Sequence, residues 1–272
     1  MDKKRVFNKI VKDIKNVKIQ GARNIAQAAL YAYSLMPNKN SKKKLLSARP
    51  TEPMLKKVLN LAEKNPYKEI QKHFDFAQKQ INKLVIKLIK KDDIIFTHCH
   101  SSTVVNALIY AKKKGKKFQV HNTETRPLFQ GRKTAKELRK AGIKVTMFVD
   151  AAAAIAIEKE NKADKIYSDK VFFGADALLK NGIVNKIGSK IIARIANQEK
   201  IPVYIIADSW KFTKSKVPIE QRKLNEVWNN APKGIKIKNP AFEFVPKKYI
   251  TKIISELGIL DYGKFVKRKL EN

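Results

Sequence analysis

The stretch IIFTHCHSSTVVNAL, residues 94–108, decides the fold. Its first residues are β-branched and aromatic, the pattern of a short buried strand. Three hydroxyl residues, Ser101, Ser102 and Thr103, follow a polar turn and supply natural caps for an apolar run with helical spacing. A strand that feeds a helix in this way is the repeating unit of a parallel sheet. The unit recurs downstream: FQVHNTE (118–124) precedes TAKELRKAG (134–142), and VTMFVD (145–150) precedes AAAAIAIEKE (151–160). VFFGAD (171–176), KIGSKIIARIANQ (186–198) and PVYIIAD (202–208) complete the series.

Upstream the period changes. KRVFNKIVKDIKNV (4–17), NIAQAALYAYSLM (24–36) and the long run 67–91 carry apolar residues three and four apart, and strand signals are absent. The expectation is an α/β protein: a small helical domain over residues 1–90, then a Rossmann-like parallel-sheet domain over 91–272. No internal repeat interrupts it.

Composition excludes several classes. No apolar run approaches the ~20 residues of a membrane helix, and the charged N-terminus lacks the apolar core of a secretory signal. A single cysteine forms no internal disulfide, so a cytoplasmic location is expected. The net charge of +35 comes mostly from lysines spread along the chain, as in KKKGKK (112–117). Without aromatic RNA-binding motifs, zinc-finger spacing or Arg-rich arms, this reads as a solvated surface and argues against dedicated nucleic-acid binding.

In a parallel sheet the ligand crevice lies beyond the carboxyl ends of the strands. Those ends deliver Thr97–His100, Thr123–Arg126, Asp150, Gly174–Asp176 and Asp208. Cys99 and its flanking histidines alternate in direction along a strand, which does not suit one metal ion. Neither a metal nor a cofactor is expected. Cys99 stands just before a helix start, where free N–H groups favour a thiolate. Asp176 follows two small residues among apolar ones that raise its pKa toward values useful to a general acid. Phosphate-binding candidates complete the set. QGARNIAQAA offers Gln20, Gly21, Ala22 and Arg23 at a helix start, and SARPTEP offers Arg49. TETRPLFQGRKT offers Arg126, Gln130 and Arg132; NKIGSK offers Asn185 and Lys186 at another helix start.

THCHSS (97–102), TETRPLFQGRKTAKEL (123–138), GADALLKNGIVNKIGS (174–189), ADSWKF (207–212) and NPAFEFVPKKYI (239–250) resemble one family along almost the whole chain. It unites regulatory subunits of translation initiation factor 2B with methylthioribose-1-phosphate isomerase and archaeal ribose-1,5-bisphosphate isomerase. The resemblance implies a homo-oligomer, a dimer or a ring of dimers. It also implies that Cys99 and Asp176 are a catalytic pair that the translation regulators typically lack. ADSWKF is similar to the AETYKF-like run of the bisphosphate branch, and its Lys211 suits a second phosphate. The implied activity is an aldose–ketose isomerisation of ribose 1,5-bisphosphate to ribulose 1,5-bisphosphate through a phosphoenolate, in AMP salvage. The alternatives are a non-catalytic regulatory subunit that binds sugar or nucleotide phosphates, and an isomerase of another ribose 1-phosphate such as methylthioribose 1-phosphate. By the same resemblance Gln20, Gly21, Ala22, Arg23, Arg49, Ser101, Ser102, Thr103, Arg126, Gln130, Asn185, Lys186 and Lys211 would contact the substrate. Gln20 replaces the family's usual Arg, SARPTEP differs from TRPTAV, and Ser102 stands where the bisphosphate branch tends to carry Lys.

Overall fold

The computed structural model of the protein describes residues 2–159 and 167–271. Five helices open the chain: α1 (Lys3–Lys15), α2 (Ala22–Leu35), α3 (Lys39–Ala48), α4 (Pro53–Leu61) and α5 (Tyr67–Leu88). Their apolar stripes meet in a core that includes Phe7, Ile14, Ile25, Leu45, Leu55 and Leu59, all buried. Each such side chain removed from water contributes roughly 1.5–3 kcal/mol. α5 belongs to two cores. Ile70 and Phe74, in its first half, pack on α2 and α4. Ile81 and Val85, in its second half, join the sheet's core beside Val105 and Leu108.

The sheet contains β1 (Asp93–Thr97), β2 (Phe118–Thr123), β3 (Lys144–Phe148), β4 (Lys170–Phe173) and β7 (Val203–Ile206), together with β9 (Lys252–Ser255) and β10 (Gly258–Leu260). The strand order is β10-β9-β7-β4-β1-β2-β3, parallel throughout except for the antiparallel β9–β10 pair. Between the parallel strands run α6 (Ser102–Lys113), α7 (Gln130–Lys140) and α8 (Ser189–Gln198), and α9 (Tyr262–Glu271) closes the chain. Consecutive residues of one strand serve opposite cores. Phe173 packs on one face with Phe96 and Ile205, while Phe172 packs on the other with Ile95 and Ile206. Burial on both faces is why β1, β4 and β7 read as largely apolar runs, whereas β3, at the edge, is mostly exposed. Among the described residues no helix is long and apolar enough to cross a membrane.

Two expectations fail. The alanine-rich run 151–160 forms no α-helix; a single 3-10 turn, Asp150–Ala152, is followed by turns, and residue 160 lies outside the described residues. Tertiary packing overrides alanine's helix propensity there. The Asp150 carboxylate turns back to accept N–H bonds from Thr125 (2.8 Å) and Arg126 (2.6 Å), while Ala156 and Ile157 drop into the core. Asn185 and Lys186 do not open a helix either. They end β6 (Gly182–Lys186), the centre of a small antiparallel sheet with β5 (Ala177–Leu178) and β8 (Phe242–Pro246). The two-residue turn Lys180–Asn181, closed by the Leu179 N–H donating to the Gly182 carbonyl at 2.9 Å, makes the β5–β6 hairpin, and α8 begins only at Ser189 after Gly188, whose φ of 100° suits glycine.

Candidate active site

The carboxyl ends of β1 and β4, the loop before α2 and the end of β6 surround a cavity of about 440 Å³. Cys99 reaches it from the end of β1. Its backbone is left-handed (φ 67°), a conformation that costs a non-glycine residue energy and tends to occur at functional positions. A chain of bonds holds it there. The Cys99 N–H donates to Thr125 Oγ1 at 3.0 Å, the Thr125 N–H donates to Asp150, and the Cys99 carbonyl accepts from Thr134 Oγ1 at 2.8 Å. Asp176 faces the same cavity from beyond β4, its N–H donating to the Val184 carbonyl of β6.

Charge is concentrated around this pair. Lys186 and Lys211 are 6% and 5% exposed and Arg49 is 7% exposed, values that long cations reach only when opposite charge or hydrogen bonds compensate. Lys211 Nζ donates to the Ala175 carbonyl at 2.6 Å. Arg49 pairs with Glu220 at 3.0 Å, and its Nε has no hydrogen-bond partner. Arg23 donates to Gln78 Oε1 at 3.0 Å.

Burial pushes the Cys99 thiol up to about 12, with the Lys186 ammonium opposing the shift. The expectation that the helix start would favour a thiolate is corrected here. Ser101 Oγ accepts the Val104 N–H (3.4 Å), so the first turn of α6 is already capped, and desolvation dominates. Burial also raises the pKa of Asp176, while Lys211, Arg49 and Lys186 work against it. Burial lowers that of Lys186, which Cys99 and Asp176 partly restore. The site therefore holds a neutral thiol, a carboxyl biased toward its protonated form and several cations.

Gln20, Gly21, Ala22, Arg23, Arg49, Ser101, Ser102, Thr103, Gln130, Asn185, Lys186 and Lys211 all line this cavity with Cys99 and Asp176. Arg126 does not. Its guanidinium points outward, 4.9 Å from the Phe129 ring, and donates to the Val227 carbonyl at 3.4 Å. Arg132 likewise stays outside, paired with Glu124 at 2.9 Å. Two acids expected at the strand ends have structural duties instead. Asp150 buttresses Thr125, and Asp208 accepts bonds from His73 (3.1 Å) and the Trp210 N–H (2.8 Å).

Sequence reasoning missed Glu52, Lys133, Arg222 and Glu226, which also line the cavity. Glu52 stands three residues after Arg49 in a motif already singled out. Arg222 and Glu226 lie in an irregular segment after β7 and carry no periodic signal. The histidines flanking Cys99 are committed elsewhere. His98 bonds Thr123 Oγ1 (2.5 Å) and the Ile187 carbonyl (2.8 Å) through its two ring nitrogens, and His100 bonds Thr134 Oγ1 (3.1 Å). Among the described residues one group, His73, Asp208 and Glu256, has ligand atoms close enough for a metal. There His73 Nε2 is already bonded to Asp208.

A family model described as the initiation factor 2 subunit family matches residues 38–262. The chain belongs to that family. A ribose 1,5-bisphosphate isomerase of Methanocaldococcus jannaschii is 36% identical, with 96% of this chain and 93% of that protein aligned. Among solved structures, a translation initiation factor eIF-2B of Pyrococcus horikoshii superposes with a TM-score of 0.82 at 26% identity, covering 96% of this chain and 98% of that one. A 5-methylthioribose 1-phosphate isomerase of the same organism superposes with a TM-score of 0.77 at 25% identity, covering 97% and 87%. The proteins this chain resembles thus include named enzymes and a named translation factor, and the two superpositions show that its fold is shared with both solved relatives.

Proposed function

We propose that this member of the family is an aldose–ketose isomerase that converts ribose 1,5-bisphosphate to ribulose 1,5-bisphosphate. One observation carries the reading: Cys99 and Asp176 line a single cavity together with the buried cations Arg49, Lys186 and Lys211. The cations suit a doubly phosphorylated ligand, and the pair suits proton transfer between adjacent carbons.

A 1-phosphate blocks spontaneous ring opening. Asp176 in its protonated form donates to the ring oxygen as the bond from that oxygen to C1 breaks. The Cys99 sulfur takes the proton from C2, and the released electron pair forms the C1–C2 double bond of a phosphoenolate. The C2 hydroxyl proton returns to Asp176, and the sulfur delivers its proton to C1. Atoms and charge balance, and both residues end as they began. Cys99 acts as base only as the thiolate, and Lys186 is the cation placed to favour it. Each unit by which its pKa falls in the complex lowers the cost by about 1.4 kcal/mol. Positioned acid–base groups of this kind are worth ~10²–10⁴-fold each.

Purified protein supplied with ribose 1,5-bisphosphate, ribose 1-phosphate and methylthioribose 1-phosphate tests the assignment. Turnover of the bisphosphate alone is the expected result. Turnover of methylthioribose 1-phosphate would move the assignment to the other isomerase. Tight binding with no turnover of any of them would favour a regulatory subunit that senses phosphates. The reaction fits a cytoplasmic step of AMP salvage whose product passes to a carboxylase.

The reading includes a homodimer. The aromatic segments NPAFEF (239–244) and VWNN (227–230) are the contacts the sequence offers, but NPAFEF is internal: Ala241 is buried and Phe242 lines the cavity. Trp228 and Val149 are instead exposed, at 50% and 59%, and they are the apolar surface offered to a second copy. A monomer by light scattering at micromolar concentration would remove this part.

A further inference from the structure

SARPTEP places a carboxylate, Glu52, among the groups that bind phosphate, where its charge has the wrong sign. Glu52 is the residue immediately before α4, a position from which side chains ordinarily accept a helix N–H, yet it makes no such bond. It is 3% exposed, it lines the cavity, and its Oε2 has no hydrogen-bond partner. A buried oxygen left in that condition is destabilising unless something entering the site bonds it. Acids and bases face it from every side. Arg49 comes from the end of α3, Lys211 from the turn after β7, Asp176 from beyond β4 and Glu220 from the segment before β8. Lys186, Arg222 and Glu226 line the same cavity.

We propose that Glu52 is a substrate-binding acid of this site. Its carboxyl is protonated in the complex, donates a hydrogen bond to the phosphorylated ligand and, where it is ionised in the free site, takes up a proton as that dianion binds. The proposal deepens the phosphosugar reading and rests on it. Burial, assisted by Asp176, pushes the Glu52 carboxyl up to about 8, so it changes charge in a range open to experiment. An incoming dianion raises it further by like-charge repulsion. Below that range Glu52 is neutral and the site presents Arg49, Lys186 and Lys211 to the ligand; above it, Glu52 becomes an anion that opposes binding.

The experiment measures the affinity of inorganic phosphate for the wild-type protein, and of ribose 1,5-bisphosphate for the protein carrying Cys99→Ser to stop turnover. The window runs from about pH 7.5 to 9.5, where phosphate is chiefly dianionic and ligand charge changes little. Calorimetry in buffers of different ionisation enthalpy counts protons. The expected result is a dissociation constant that rises toward tenfold per pH unit above about pH 8, with uptake of up to one proton. Glu52→Gln, which can donate but cannot ionise, should flatten the pH dependence and abolish uptake while keeping affinity. Glu52→Ala should flatten it and bind more weakly. A Gln variant that retains the wild-type slope, or a wild type without a slope, overturns the proposal.

The two readings fail separately. Turnover of ribose 1,5-bisphosphate with an unchanged slope in Glu52→Gln removes the role of Glu52 and leaves the isomerase. Proton-linked phosphate binding that Glu52→Gln abolishes, without turnover of any sugar, keeps Glu52 and removes the isomerase. Protein that binds no phosphate at any pH overturns both.

Discussion

A Cβ added at Gly174 would lie 2.6 Å from Ser101 Oγ and 2.7 Å from Ser101 Cβ. The ends of β1 and β4 therefore approach at a separation that only glycine permits, and this approach brings Cys99 and Asp176 to one cavity. Gly174→Ala should destabilise the protein by about 1–3 kcal/mol, as overpacking does, and should reduce turnover more than affinity, because it displaces the pair. Adding Ser101→Gly removes both clashing atoms and should restore the thermal midpoint. A Gly174→Ala protein with wild-type midpoint and wild-type turnover would show that the approach is dispensable.

Cys99→Ser retains the shape of the residue and raises its pKa beyond useful range. Turnover should fall by ~10²-fold or more while sugar phosphates still bind. Asp176→Asn should do the same, since an amide cannot release the proton. The double variant should lose little beyond the worse single one, as groups of one relay are strongly non-additive. Steady-state kinetics with parallel binding measurements separate this outcome from a simple packing role, which would lower stability and leave the rate of the folded fraction intact.

Lys211 is buried and donates to the Ala175 carbonyl, one residue before Asp176. Charge-assisted contacts contribute ~1.5–3 kcal/mol, so Lys211→Ala should weaken the bisphosphate roughly ten- to a hundredfold and a monophosphate less. Equal losses for the two ligands would mean that Lys211 positions the loop and does not hold the second phosphate.

Glu52 also makes a prediction about folding. Its carboxyl rises from an ordinary 4.5 to about 8 in the native state. Below about pH 4.5 both states hold the proton and nothing changes with pH. Between there and about 8 the unfolded chain releases it and the native chain does not, so stability falls as pH rises; above that the full penalty is present. Glu52→Gln never ionises. It should match the wild type in acid and exceed it increasingly up to about pH 8, by on the order of a few kcal/mol. Denaturant midpoints for both proteins across that range would reveal it, and a constant gap would contradict it.

Period and strand chemistry alone made the parallel core legible: β1, β4 and β7 fall where the apolar runs stand, because a strand buried on both faces must be largely apolar, while β2 and the exposed edge strand β3 are marked by their β-branched and aromatic residues. The same local logic misjudged 151–157, where Asp150 is bound by backbone N–H groups of another loop. It also missed the antiparallel β5, β6 and β8, whose partner β8 lies far along the chain. Most of the candidate site was readable as well. Residues at strand ends and helix starts are set by local chemistry, and sheet topology carries those ends to one edge. Tertiary structure alone decided charge state and membership. Burial, which depends on segments distant in sequence, keeps the Cys99 thiol protonated against the expected effect of its helix. Packing of those segments leaves Arg126 outside, against Phe129 and the Val227 carbonyl, and brings Glu52, three residues beyond Arg49, into the cavity with Asp176.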